Sequence, residues 1–227
     1  MVNTVGSPKT NKFWNKKWIP IKNNLRLTQI QREVIVGSLL GDGTMRKGKD
    51  AEHANFKVEH GLAQKDYVLW KYSMLKDLVF TEPKISFRYK NNGEKYPKSW
   101  WFRTIRHPLL TEIYNSYYSG DGYRTGKKII PVNFIHDLTP SALAIWIMDD
   151  GSYNKNRKGI DISTYAFPLE EIIKLQSLFR KVFKLKASFY KDRDKGYRMY
   201  FSISETKALI HIIHPYIIPS MMYKIGF

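Results

Sequence analysis

The apolar positions of this chain fall into a pattern that is written twice. The first run, Ile30–Leu40, is rich in Val, Ile and Leu and follows Leu27-Thr28-Gln29. Thr28 is placed to cap a helix, and Gln31 three residues later completes a capping box. The run stops at Gly41-Asp42-Gly43-Thr44. The second run, Ala142–Met148, follows Leu138-Thr139-Pro140 and stops at Asp149-Asp150-Gly151-Ser152. Thr139 is its cap, and Pro140 takes the first helical position, where a missing N–H costs nothing. Both runs predict capped helices that are apolar nearly all round, so each is expected to be buried. Glycine readily takes the left-handed conformation that closes a helix, which is the expected form of both stops.

The flanks repeat too. Extended pieces are predicted at Asn55–Glu59 and Gly159–Thr164, followed by helices at Ala63–Val79 and Leu169–Phe183. The inward side of the first helix is read as Tyr67, Leu69, Trp70, Met74, Leu75 and Leu78. That of the second is read as Ile172, Ile173, Leu175, Leu178, Phe179 and Val182. Strand-like runs follow at Lys84–Lys90 and Ser99–Ile105, and again at Lys186–Lys191 and Tyr197–Ile203, each pair joined by a polar turn. A last helix closes each half, at Pro108–Tyr118 and Glu205–Tyr216. The order helix, two strands, helix, two strands, helix therefore occurs twice. The expected organisation is an N-terminal arm (1–26), a first half (27–118), a connection (119–137) and a second half (138–227).

Charge narrows the function. The 227 residues carry 38 Lys and Arg against 20 Asp and Glu, a net +18. Such an excess repels itself within a compact fold, and a polyanionic partner is its usual reason. Aromatic residues, 15% of the chain, often lie beside Lys or Arg, a mixture suited to sugar, phosphate and base faces. Residues 1–26 hold six basic residues and no acidic one, as an arm along a nucleic-acid backbone would. There is no cysteine, which excludes disulfides and Cys-ligated zinc. The longest apolar run, Ala142–Met148, is far short of the ~20 residues that span a bilayer, and no basic amphipathic helix suits a membrane surface. The six histidines (His53, His60, His107, His136, His211 and His214) show no metal-ligand spacing and read as structural. No phosphate-cradling loop or nucleophile elbow is present.

Residues 35–43 (IVGSLLGDG) and 143–151 (LAIWIMDDG) resemble the two signature helices of single-chain LAGLIDADG homing endonucleases. A narrower likeness, to the subgroup typified by the yeast mitochondrial omega-intron endonuclease, lies in residues 138–152 and 215–225. Leu40 and Met148 stand where the family name spells Asp, and Ser38 and Trp146 replace a Leu. The eighth motif position is Asp in both copies. The resemblance implies an α+β fold: two pseudo-twofold-related αββαββα halves with antiparallel, saddle-shaped DNA-binding sheets and two central packed helices. Gly37 and Gly41 lie on one helical face and would let those helices approach closely. Asp42 and Asp150, 108 residues apart, would then meet at the bottom of the interface.

Two carboxylates at two helix C-termini repel each other, and a divalent cation relieves that repulsion. Oxygen donors suit Mg²⁺, with Mn²⁺ able to substitute. The resemblance adds the carbonyls of Gly41 and Asp149 as ligands. It also adds Lys128 and Lys224 as basic residues near the metals. The Asp149 side chain reads as a surface or supporting group. The implied activity is metal-dependent hydrolysis of both strands of a long, asymmetric DNA target by a monomer, serving intron homing. The duplex would be contacted by Arg88, Lys90, Arg103 and Arg106 in the first half. In the second half it would meet Lys186, Tyr190, Lys191, Arg193, Lys195 and Arg198. The alternatives are a maturase that binds its host intron RNA and a non-cutting DNA-binding protein. The expected location is intracellular, in a mitochondrial or other organellar matrix.

Overall fold

Helix α1 (Gln29–Leu40) begins where the capping box places it. The Gln31 amide donates to Thr28 Oγ1 at 3.3 Å, and the Thr28 amide donates to Gln31 Oε1 at 3.0 Å. The computed structural model describes residues 24–48, 51–120 and 127–227. Residues 1–23 of the expected arm and 121–126 of the connection lie outside the described residues. After α1 come β1 (Thr44–Arg46), β2 (Asn55–Gly61), α2 (Lys65–Met74), β3 (Lys84–Tyr89), β4 (Lys95–Arg103) and α3 (Pro108–Tyr117). Strands β5 (Tyr118–Ser119) and β6 (Lys127–Lys128) pair across the connection. The order then repeats as α4 (Pro140–Asp150), β7 (Gly151–Asn154), β8 (Gly159–Ser163), α5 (Leu169–Phe183), β9 (Ser188–Lys191), β10 (Tyr197–Tyr200) and α6 (Ile203–Ile213).

The two sheets have the same antiparallel wiring, β1-β2-β4-β3 and β7-β8-β10-β9. Alternation puts Phe56, Val58 and Phe102 of the first sheet, and Ile160, Ile162 and Met199 of the second, into one core shared by both halves. Helices α1 and α4 form its centre, with every residue from Ser141 to Asp149 buried. The connection is tied to both halves. Arg32 clamps Asp137 with two hydrogen bonds at 2.6 and 2.9 Å, and the Ile130 amide donates to the buried Glu171 at 2.9 Å.

Several local expectations change. Neither helix stop is left-handed: Gly41 has φ −104° and Gly151 has φ −74°. Glycine is needed there for space. A Cβ on Gly41 would collide with the Cβ of Asp149, and one on Gly151 would lie 2.5 Å from the Ile147 carbonyl. The helix expected over 63–79 is broken into 3-10 turns on either side of α2. Val68 rather than Leu69 is its core residue, and Ile173 of α5 is exposed as well. Ile203 opens α6 instead of ending β10, because Ser202 caps that helix by accepting the Glu205 amide.

The approach of α1 to α4 is set at Gly37, where a Cβ would lie 2.5 Å from the Ala142 carbonyl and 2.8 Å from Ile145 Cβ. Gly37→Ala is therefore expected to destabilise the protein by about 1–3 kcal/mol through overpacking. Gly61→Ala, with open space around it, should leave the thermal midpoint nearly unchanged. Equal midpoints for the two variants would contradict this account of the helix contact.

Candidate active site and nucleic-acid face

Close packing of α1 and α4 brings their C-terminal ends together, and with them Asp42 and Asp150. The sites around the two ends are alike in one respect. Lys128, placed by β6, donates to the Gly41 carbonyl at 2.6 Å. Lys224, placed by the C-terminal 3-10 segment Pro219–Ile225, donates to the Asp149 carbonyl at 3.0 Å. Helix ends leave carbonyls without partners and carry partial negative charge, so each ammonium answers both features. Burial pushes both lysines below their ordinary pKa, against the opposing pull of Asp42, Asp149 and Asp150. The four residues expected to act together, and the two carbonyls expected beside them, thus occupy one region.

The two carboxylates are not equivalent. Burial, then the charges of Asp42 and Asp149, push Asp150 up to about 8, against the pull of Lys128 and Lys224. Burial also raises Asp42. There it is outweighed by His60, which lies 3.5 Å from the carboxylate, and by the charges of Lys71 and Lys224, so Asp42 ends below its usual value. The carboxyl groups of Asp42, Asp149 and Asp150 crowd one place, together with the Gly41 and Asp149 carbonyls. Among the described residues no group of three or more His, Asp or Glu side chains could hold a metal. A cation here would therefore rely on Asp42, Asp150 and backbone carbonyls, with water and substrate phosphate completing the shell.

Of the two readings of the Asp149 side chain, a surface or a supporting group, the surface one is overturned. That side chain is wholly buried, and Oδ1 accepts from Tyr67 and from the equally buried Lys71, both at 2.7 Å. Oδ2 accepts the Asp42 amide at 3.2 Å. His60, read as a structural histidine, lies in the same cluster, 3.2 Å from Lys71 Nζ. Burial lowers the Lys71 pKa, with Asp149 opposing, while burial and then Asp149 hold the Tyr67 phenol well above its ordinary range. The available signal was Lys71 itself, a lysine on the same helical row as the buried Tyr67 and Leu75.

The outer faces of the sheets carry the nucleic-acid candidates. In the first half Arg103 pairs across from Lys57, and both line a groove of about 940 Å³ with Arg46, Trp101, Arg106 and Lys128. Arg46, Lys57 and Trp101 were not among the sequence candidates; strand alternation from Arg103 through its partner would have found Lys57. Arg88 is exposed on β3, and Lys90 pairs with Glu94 at 2.8 Å in the hairpin turn. In the second half Arg198 stands across from Tyr190 and donates to Ser152 at 3.0 Å. Lys191 ends β9, and Arg193 and Lys195 lie in the 3-10 turn beyond it. Lys186 lies elsewhere. It precedes β9 and lines a depression with Gln176, Arg180 and Lys184 on the α5 side.

Paired halves of this order, with twin carboxylates at the ends of two central helices, define a two-motif endonuclease scaffold. The chain belongs to the LAGLIDADG DNA endonuclease family, whose model matches residues 32–209. It is 32% identical over 210 residues to the cytochrome b mRNA maturase bI2 of Debaryomyces hansenii, spanning 91% of this chain and 77% of that protein. It is 30% identical to the DNA endonuclease I-ChuI of Chlamydomonas applanata, spanning 89% and 97%. Its fold matches the homing endonuclease I-WcaI bound to its DNA recognition sequence, with TM-score 0.82, 24% identity and coverage of 98% and 96%. No helix among the described residues is long and apolar enough to cross a membrane.

The raised Asp150 sets a pH dependence. A carboxyl whose folded pKa exceeds its unfolded value favours the folded state at low pH, and that contribution is lost as pH rises through the folded value. With a chelator present, the thermal midpoint should fall as pH rises from the ordinary carboxylate range to about 8 and level off above it, and Asp150→Asn should flatten that fall. An identical slope in the variant would contradict the assignment.

Proposed function

We propose that this protein is a site-specific homing endonuclease that makes a double-strand break in a long, asymmetric DNA target by divalent-metal-dependent hydrolysis. One observation carries the reading. Asp42 and Asp150 share the end of a central helix pair, each beside a lysine ammonium. The donor set fits Mg²⁺, or Mn²⁺ in its place. The carboxylates of Asp42 and Asp150 and the two backbone carbonyls offer oxygen ligands, and the burial and carboxylate crowding that lift Asp150 are what a divalent cation relieves. When bound, the metal supplies Lewis-acid polarisation of the phosphate and an activated water.

The chain's own residues do the rest. Asp42 and Asp150, with the Gly41 and Asp149 carbonyls, would hold the cation. Lys128 and Lys224 offset phosphate charge, and one stands at each helix end. The basic outer faces position the duplex, with lysines on phosphates and arginines able to read guanine. The halves differ in those faces: Lys57, Trp101 and Arg103 in one, Tyr190, Arg198 and Tyr200 in the other. Unlike faces suit an asymmetric site. One chain supplies both carboxylates, so a monomer is sufficient.

A second reading, binding of a host intron RNA as a maturase, is favoured by the likeness to the Debaryomyces protein. The two readings separate in the same preparation. The protein, Mg²⁺ and a randomised long-duplex library should yield cut ends with short 3′ overhangs at one long site. Absence of cutting under Mg²⁺ and Mn²⁺, together with tight binding of intron RNA, would favour the maturase. Asp42→Asn and Asp150→Asn should each abolish double-strand cutting while duplex binding, read by gel shift, stays largely intact. Normal cutting by both variants would overturn the assignment. Binding should also weaken steeply with salt, because each neutralised phosphate releases counterions. A flat salt dependence would exclude backbone contact by the basic faces.

A further inference from the structure

The proposed reaction makes no use of one set of buried polar groups, namely His60, Tyr67, Lys71 and the Asp149 carboxylate. Lys71 and Asp149 come from different halves, and both side chains are fully buried. A buried ion pair contributes little to stability compared with well-packed apolar side chains, because desolvation cancels most of the attraction. Stability alone is therefore a weak reason for this pair. The geometry supplies a stronger one. Lys71 and Tyr67 both donate to Asp149 Oδ1, which fixes the rotation of the carboxylate. Its other oxygen, Oδ2, is thereby aimed at the Asp42 amide, 3.2 Å away. His60 approaches Asp42 from its side-chain end, at 3.5 Å. Asp42 is thus held at backbone and side chain by groups built into α2, β2 and α4.

Asp150, whose backbone closes helix α4, has no comparable support from other side chains. Among the described residues no side chain hydrogen-bonds its carboxylate, and Lys128 and Lys224 act on it through charge alone. The Gly41 position completes the asymmetry. A side chain at 41 would meet the Asp149 carboxylate, so the first helix end leaves room for the carboxylate supplied by the second.

We infer that Asp149, locked by Lys71 and Tyr67, is a positioning residue for Asp42 and not for Asp150, so that the two strand cuts depend on it unequally. The consequence for cutting rests on the nuclease reading above; the positioning of Asp42 does not. The test compares two double variants that both remove the buried charges and so leave neither partner unpaired. Asp149→Asn with Lys71→Met keeps an acceptor for the Asp42 amide. Asp149→Leu with Lys71→Met removes it. Thermal melting first verifies that both are folded.

In the metal-free proteins, hydrogen exchange at the Asp42 amide should be about tenfold faster in the Leu variant than in the Asn variant. Equal exchange would overturn the positioning role. On an end-labelled duplex carrying the site recovered from the library, the Leu variant should cut one strand about a hundredfold more slowly than the Asn variant. The other strand should be little affected, so nicked duplex accumulates. Equal slowing of both strands would overturn the inference and leave the nuclease reading standing. If the unaltered protein cuts no duplex, the nuclease reading falls and the exchange comparison alone decides the positioning role.

Discussion

The close packing of α1 on α4 governs both the core and the chemistry of this protein. Gly37 and Gly41 remove side chains where α4 must pass, and Ala142 and Asp149 come close enough that any Cβ there would collide. That approach joins two repeats into one core and brings two helix ends to one point. Helix ends concentrate unpaired carbonyls and partial negative charge. Placing two of them together, each beside an aspartate, creates a site of high negative potential. The two lysine ammoniums on Gly41 and Asp149 answer that potential, and burial together with it raises the pKa of Asp150.

The repeat is nearly symmetric in wiring and unsymmetric in chemistry. Both sheets have the same strand order, and both central helices are capped by threonine. The motif position before each catalytic-type aspartate nevertheless differs, Gly41 in one copy and Asp149 in the other. Only one carboxylate fits between the helices. It is neutralised by Lys71 of the first half and hydrogen-bonded to Tyr67. A buried charge without such partners would cost several kcal/mol. The Lys71–Asp149 pair therefore ties the identity of α2 in one half to the helix end of the other.

The net charge of +18 has a spatial order of its own. Arg46, Lys57, Arg103 and Arg106 of the first half and Lys128 of the connection line one groove. Glu59 lies within this face, held near pKa 2. Burial raises it, but Lys57, Ser99 and Lys98 outweigh that effect, so it stays ionised and orders those lysines. A second basic cluster, Arg180, Lys184 and Lys186, lies on the α5 side instead, apart from the sheet's outer face.

Spacing along the chain was enough to establish the duplication, both threonine caps, the two helix stops, most strand pairs and the pair Asp42 and Asp150. Those features are short-range: a cap and its partner lie three residues apart, and a buried helix announces itself in consecutive apolar positions. The resemblance then supplied Lys128, Lys224 and the expectation that the copies meet. Folding was needed to show why Gly41 and Gly151 are glycines, where the Asp149 side chain goes, and that His60 and Lys71 belong to the site. Each of those depends on a neighbour brought in from afar: Asp149 finds Lys71 across 78 positions, and Gly41 finds Asp149 across the helix pair. Periodicity reports which face of an element is buried. It does not report what that face will meet, and for a buried charge the partner decides whether it is a defect or a support.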